Sequence, residues 1–173
     1  VVFGAPFTDK NNNCVYDPCV DIHGINHSYE TIFVHLTDGF QESHNSSEGF
    51  GGGTMPINAE MSITAWTYRE TPDIQYFKFR FINKNNSPWE MTRIALMSDP
   101  DLGDAIDDLI GCDTIRNLGY TYNYDNEDGG AVAGPGTYGQ NPPSVGQKIL
   151  MTIPNIEKLT SFVRMNNSGS GGL

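Results

Sequence analysis

"IQYFKFRFINK", residues 74–84, decides the fold class. Phe77, Phe79 and Phe81 alternate with Lys78 and Arg80 at period two. That is the spacing at which successive side chains of a strand point to opposite faces, so the segment reads as a β-strand with one core face and one wet face. The same pattern recurs in "TIFVHLTD" (31–38), "EMSITAWTYRE" (60–70), "TRIALMSD" (92–99), "GQKILMTI" (146–153) and "KLTSFVRM" (158–165). Between these runs, "SEGFGGGTMP" (47–56), "NKNNSPW" (83–89) and "YDNEDGGAVAGPGTYGQNPPSVG" (124–146) carry the Gly, Pro and Asn of loops.

Six such strands and few helix signals predict an all-β protein. The expected architecture is a mainly antiparallel β-sandwich, jelly-roll-like, with long acidic loops and at most one short helix, spanning residues 1–173 as a single domain. Only "GDAIDDLIG" (103–111) looks helical, with Asp104 as N-cap and Asp107 and Asp108 in the first turn. The loop from about Asp125 to Val145 is longer than a compact domain usually leaves without structure, which points to a functional, ligand-tied or mobile segment.

The net charge of −11 disfavours nucleic acid and anionic membrane surfaces as partners, while divalent cations are attracted. No apolar run is long enough to span a bilayer, so no membrane insertion is expected. The opening "VVFGAPFTD" lacks the basic start and apolar stretch of a signal peptide, which predicts a processed chain or a segment of a larger secreted protein. Of the three cysteines, Cys14 and Cys19 enclose four residues and are expected to form a disulfide, leaving Cys112 free.

Two acidic stretches carry the chemistry. In "DKNNNCVYDPCVD" (9–21), the side chains of Asp9, Asn11, Asn13 and Asp17 and the Val15 carbonyl have the alternate spacing of oxygen ligands in a calcium loop. Cys14 stands where such loops place Gly, Val20 stands at the twelfth position, and Asp21 offers the late acid. An Asn-rich turn with incidental acids fits the same residues. In "MSDPDLGDAIDDLIGCD" (97–113), six aspartates occur without a Lys, Arg or His. Water, the positive end of a short helix or a bound cation could compensate them. A cation held by Asp99, Asp101, Asp104, Asp108 and Asp113 covers more of them than a helix dipole does. One or two calcium ions are therefore expected.

No catalytic constellation stands out. Carboxylate pairs for glycoside hydrolysis are too numerous to be specific, His23 and His27 flank Gly24 in a loop, and the glycine runs lack the lysine of a phosphate loop. Trp66, Tyr68 and the later tyrosines fit core or edge positions better than a flat platform for sugars.

Taken in order, "GAPFTDKNNNCVYDPCVD", "FKFRFINKN", "SDPDLGDAIDDLIGCDTIRNLGYTYNYDNED", "YGQNPPSVG" and "LTSFVRMNN" resemble an uncharacterised region of large secreted proteins exported by the bacterial type IX secretion system. The resemblance implies export and extracellular or cell-surface residence, usually with a separate C-terminal sorting domain, and brings no catalytic or binding residues with it. The expectation is a calcium-stabilised extracellular structural or adhesive module that contacts other protein chains of a surface assembly, or glycans. A carbohydrate-binding module is the alternative, and a glycoside hydrolase is a more distant one.

Overall fold

The computed structural model describes residues 4–45, 54–150 and 161–164. The chain groups into two compact units, Val1–Arg93 and Ile94–Leu173, where the sequence reading expects one domain.

The first unit opens with two short paired strands, β1 (Phe7–Thr8) and β2 (Ile22–His23), which close the ends of the 9–21 loop. Its main sheet has β3 (Glu30–Thr37), β4 (Ala59–Tyr68) and β5 (Thr71–Asn83) in the order β3-β4-β5, all antiparallel. These are the expected strands at 31–38, 60–70 and 74–84. Asp38, just past β3, accepts hydrogen bonds from the Ile57 and Ala59 amides, and its own amide donates to the Ala59 carbonyl. One residue therefore fixes where the chain leaves β3 and where it enters β4.

The registers put Ile32, Val34 and Leu36 beside Met61, Ile63 and Ala65, and those beside Phe77, Phe79 and Phe81, on one face. This is the face that the alternation assigned to a core, yet Ile32, Val34, Leu36, Phe77, Phe79 and Phe81 are 40–64% exposed. The opposite face is the better covered one. There Ser62 and Thr64 are buried, Trp66 stacks on Tyr76 at 5.5 Å, and His35 meets the Ser62 hydroxyl at 2.9 Å. Glu60 on the same face lies 3.1 Å from the Lys84 ammonium. Period two assigns residues to two sheet faces correctly, but it cannot say which face is covered.

The second unit has β6 (Asp108–Asp113), β7 (Leu118–Asn123) and, after the paired two-residue strands β8 (Glu127–Asp128) and β9 (Gly139–Gln140), β10 (Ser144–Lys148). Its sheet order is β10-β7-β6, antiparallel throughout. The 125–145 loop is not structureless: β8 and β9 pair within it, and Asn126 and Asn141 bond to each other through backbone and side chains. The segment at 92–99, expected as a strand, pairs with none among the described residues, and Ile94, Leu96 and Met97 are exposed. Of the strand expected at 146–153, residues 146–148 pair as part of β10, while 151–153 lie outside the described residues. The strand expected at 158–165 is described only at 161–164, which carry no strand, and residues 47–53 of the first loop also lie outside.

The all-β, antiparallel expectation is met, and the helical content is short 3-10 turns such as Gln41–Ser43 and Ala105–Asp107. The sandwich part concerns how sheets stack, which strand pairing alone does not give. Among the described residues Leu102, at 6% exposure, is the apolar side chain that counts as buried, whereas six polar or charged residues do. Polar contacts thus carry much of the internal order.

Phe79→Thr keeps β propensity while removing a ring from the open face. Thermal or denaturant unfolding is expected to lose no more than about 1 kcal/mol, the cost of a surface change, against about 3–5 kcal/mol for truncation of a core ring. Binding of a hydrophobic dye should fall in the variant.

Candidate functional site

The 9–21 loop curls on itself through side-chain hydrogen bonds. The Asp9 carboxylate accepts from the amides of Asn13 and Cys14 at 3.3 and 2.7 Å, Asn11 Oδ1 accepts from the Asn13 amide at 3.2 Å, and Asn13 Oδ1 accepts from the Val15 amide at 2.7 Å. The side-chain amides of Asn11 and Asn13 both donate to Asp17 Oδ2, at 2.7 and 2.8 Å. Asp9, Asn11, Asn13 and Asp17 therefore form one connected cluster. Cys14 adopts φ +62, the left-handed conformation for which calcium loops use Gly at this position, and Asn12 adopts φ +59.

Two details differ from the sequence reading. Asp21 is buried, and its oxygens go to the Lys10 and Asp17 amides at 2.8 Å each, so it buckles the two ends of the loop together. All three cysteines are free, so the expected Cys14–Cys19 disulfide is corrected. Closure of the loop by Asp9, Asp17 and Asp21 replaces the rigidity that a bridge would have supplied, and both thiols stay exposed.

In the second unit the six aspartates of 97–113 separate. Asp99 and Asp101 are exposed. Asp113 ends β6 while Asp108 begins it, about 16 Å away at the rise of an extended strand, so the two cannot share one ion. Asp113 accepts from the Ile115 and Arg116 amides and from the Arg116 guanidinium, a compensator three residues along the chain. The guanidinium hydrogen bond is the main cause that holds the Asp113 carboxyl below its ordinary value, with the Arg116 amide next.

Asp104 caps a single 3-10 turn by accepting from the Ile106 amide, and the chain then extends at once into β6 instead of continuing as a helix. Asp108 Oδ2 accepts from the Leu102 amide at 2.8 Å. Asp107 accepts from the Asn123 side-chain amide at 3.4 Å, and Asn123 faces Asp108 as its register partner across β6 and β7. Asp104 is thus tied to Asp128 through its amide, while Asp107 and Asp108 lie beside Asn123, a residue outside the run of aspartates.

Asp128 lies in the stretch read from the sequence as a loop, yet its side chain is buried. It is 0% exposed and accepts from the amides of Asp104 and Tyr138. Gly103, at φ +66, lets it in: a Cβ there would overlap the Asp128 carboxylate. The signal for β7 was present in the alternation of Leu118, Tyr120 and Tyr122, whereas nothing local in "NEDGG" marks Asp128 for burial.

A shallow pocket in the first unit is lined by His27, Ser28, Tyr29, Arg69 and Glu70, with the Arg69 guanidinium 4.1 Å from the Tyr29 ring centre. Among the described residues no three His, Cys, Asp or Glu side chains group in a way that could hold a metal ion. What both acidic regions offer is a mixed set of carboxylates, amides and carbonyls. Among the described residues, too, no helix is long and apolar enough to cross a membrane.

Gly103→Ala is expected to cost about 2 kcal/mol or more in denaturant unfolding, since it combines strain at positive φ with displacement of a buried carboxylate. Arg116→Gln should return the Asp113 carboxyl toward the ordinary aspartate range, as read by NMR titration of the carboxyl carbon. The sign follows from a depressed folded value: the contribution is full above the unfolded value of about 4 and is lost as pH falls through the lower folded value.

No family model matches this chain, and no curated protein or solved structure matches it either.

Proposed function

We propose that the chain is a calcium-stabilised extracellular module with a structural or adhesive role in a cell-surface protein or assembly. The observation that carries this reading is the 9–21 loop: Asp9, Asn11, Asn13 and Asp17 are tied into one cluster around a left-handed Cys14. Oxygen-rich side chains at alternate positions of a tight loop are the chemistry that calcium selects. The acidic composition and the resemblance to exported surface proteins point the same way.

The open face of β3, β4 and β5 supports the assembly half of the reading. Its exposed aliphatic and Phe side chains are contiguous, and single-chain soluble proteins rarely leave more than a few hundred Å² of such surface in water. A flat, apolar protein surface is the partner chemistry that fits it. Glycan binding is the second reading, favoured by the half-exposed Tyr29 at the pocket, although Arg69 already lies over that ring.

The test is a thermal melt of the chain in excess calcium, in chelator, and in chelator with high sodium chloride. At calcium a hundredfold above its dissociation constant, one site adds about 2.7 kcal/mol, which moves the midpoint by several degrees. Sodium chloride should rescue little of that, because screening supplies no ligand-bound ion. The Asp9→Asn, Asp17→Asn double variant should lose most of the first unit's response. Equal midpoints in calcium and chelator would remove the calcium reading.

A further inference from the structure

The second unit contains buried oxygens with nothing to bond to. Asp107 Oδ1, Asp108 Oδ1 and Asn123 Oδ1 are all out of contact with water, and none has a hydrogen-bond partner. Asn123 itself is 6% exposed. Register partners on neighbouring strands project from the same sheet face with Cβ atoms about 5 Å apart, so the Asn123 carboxamide stands beside the Asp108 carboxylate. It also reaches Asp107 Oδ2 at 3.4 Å.

Its two amide protons serve three acceptors, Asp107 Oδ2 and the carbonyls of Asp125 and Glu127, at 3.3–3.4 Å. All three bonds are longer than an ordinary N–H···O bond. Acceptors outnumber protons around a side chain that is itself buried. Arg116 is the sole Lys or Arg between Leu102 and Asp128, and it is bound to Asp113 at the far end of β6. Buried, unpaired oxygens of this kind cost of order 1–3 kcal/mol each and more when charged, so the cluster lacks a positive group.

We propose that Asp107, Asp108 and Asn123 bind a calcium ion, the Asn123 carboxamide turning its oxygen to the ion where its nitrogen lies between Asp107 Oδ2 and the carbonyls of Asp125 and Glu127. This ligand set differs from the 97–113 aspartates as a group: it omits Asp99, Asp101 and Asp113 and adds an amide from β7. The donors are all hard oxygens of mixed type on a turn and two strand ends, a set that suits the larger, more adaptable shell of calcium better than the strict octahedron of magnesium. The proposal rests on the calcium reading given above and adds to it a second site in a separate unit.

The experiment is calorimetric titration of the full chain with calcium, and with magnesium for comparison. Terbium luminescence sensitised by Tyr122 and Tyr124, which flank Asn123, is the second readout. Two calcium sites are expected in the chain and in Asn123→Asp. One is expected in Asp107→Asn, Asp108→Asn, which should also lose most of the terbium signal, and one in Asp9→Asn, Asp17→Asn, which should keep it. Asn123→Asp gives a reversal of sign. With an ion present the added carboxylate tightens binding at this site roughly tenfold, whereas without one it only adds repulsion. A lower melting midpoint for Asn123→Asp that calcium fails to restore overturns the proposal. So does calcium binding that is unchanged in the Asp107, Asp108 double variant, an outcome that leaves the 9–21 loop reading standing. Absence of calcium binding by the unaltered chain at several millimolar overturns both.

Discussion

Aspartate carboxylates bonded to backbone amides are the interaction on which the rest of this structure depends. Asp9, Asp21, Asp38, Asp104, Asp108, Asp113, Asp125 and Asp128 each accept at least one main-chain N–H. The bonds fasten loops that have few apolar side chains to bury. A charged acceptor makes such a bond shorter and stronger than a neutral one, and the short aspartate side chain loses little freedom when it is fixed. The charge of −11 is in this sense partly structural. Three compensators for crowded acids were foreseen from the sequence, namely water, a helix end and a cation. The backbone itself is a fourth.

This explains the uneven legibility of the chain. Strands β3, β4 and β5 could be read because alternation is a local property that survives into the fold. β6 could not, because Asp108–Asp113 begins and ends in acids and contains Gly111, which looks like turn chemistry until Tyr120 is seen lying over that glycine. The exposure of the first sheet's two faces was not legible for another reason: hydropathy indicates which residues prefer to leave water, while coverage depends on what the rest of the chain supplies.

The two acidic regions divide along the same line. At 9–21 the hydrogen-bonded residues lie within one short stretch, so the clustering of Asp9, Asn11, Asn13 and Asp17 was legible. At 102–128 the cluster is assembled from a turn, two strands and a distant loop, and the residues that complete it, Asn123 and Asp128, sit far from the run of aspartates that drew notice. Asp128 shows how strongly context decides. In "NEDGG" it has the company of a solvated turn, yet Gly103 lacks a side chain at the one place where the carboxylate enters.

The Asp38 clamp has a consequence for the evolution and reuse of this scaffold. Because one carboxylate holds the amides of Ile57 and Ala59 while the Asp38 amide holds the Ala59 carbonyl, the β3–β4 register is fastened at the base of the connection. Loop closure grows costlier only slowly with length, about 0.6 kcal/mol per doubling. Sequence added between Asp38 and Ile57 therefore enters a bracket whose ends are already joined. Foreign peptide could be displayed there, or lineages could diverge in length there, with each strand still meeting its partner residue for residue.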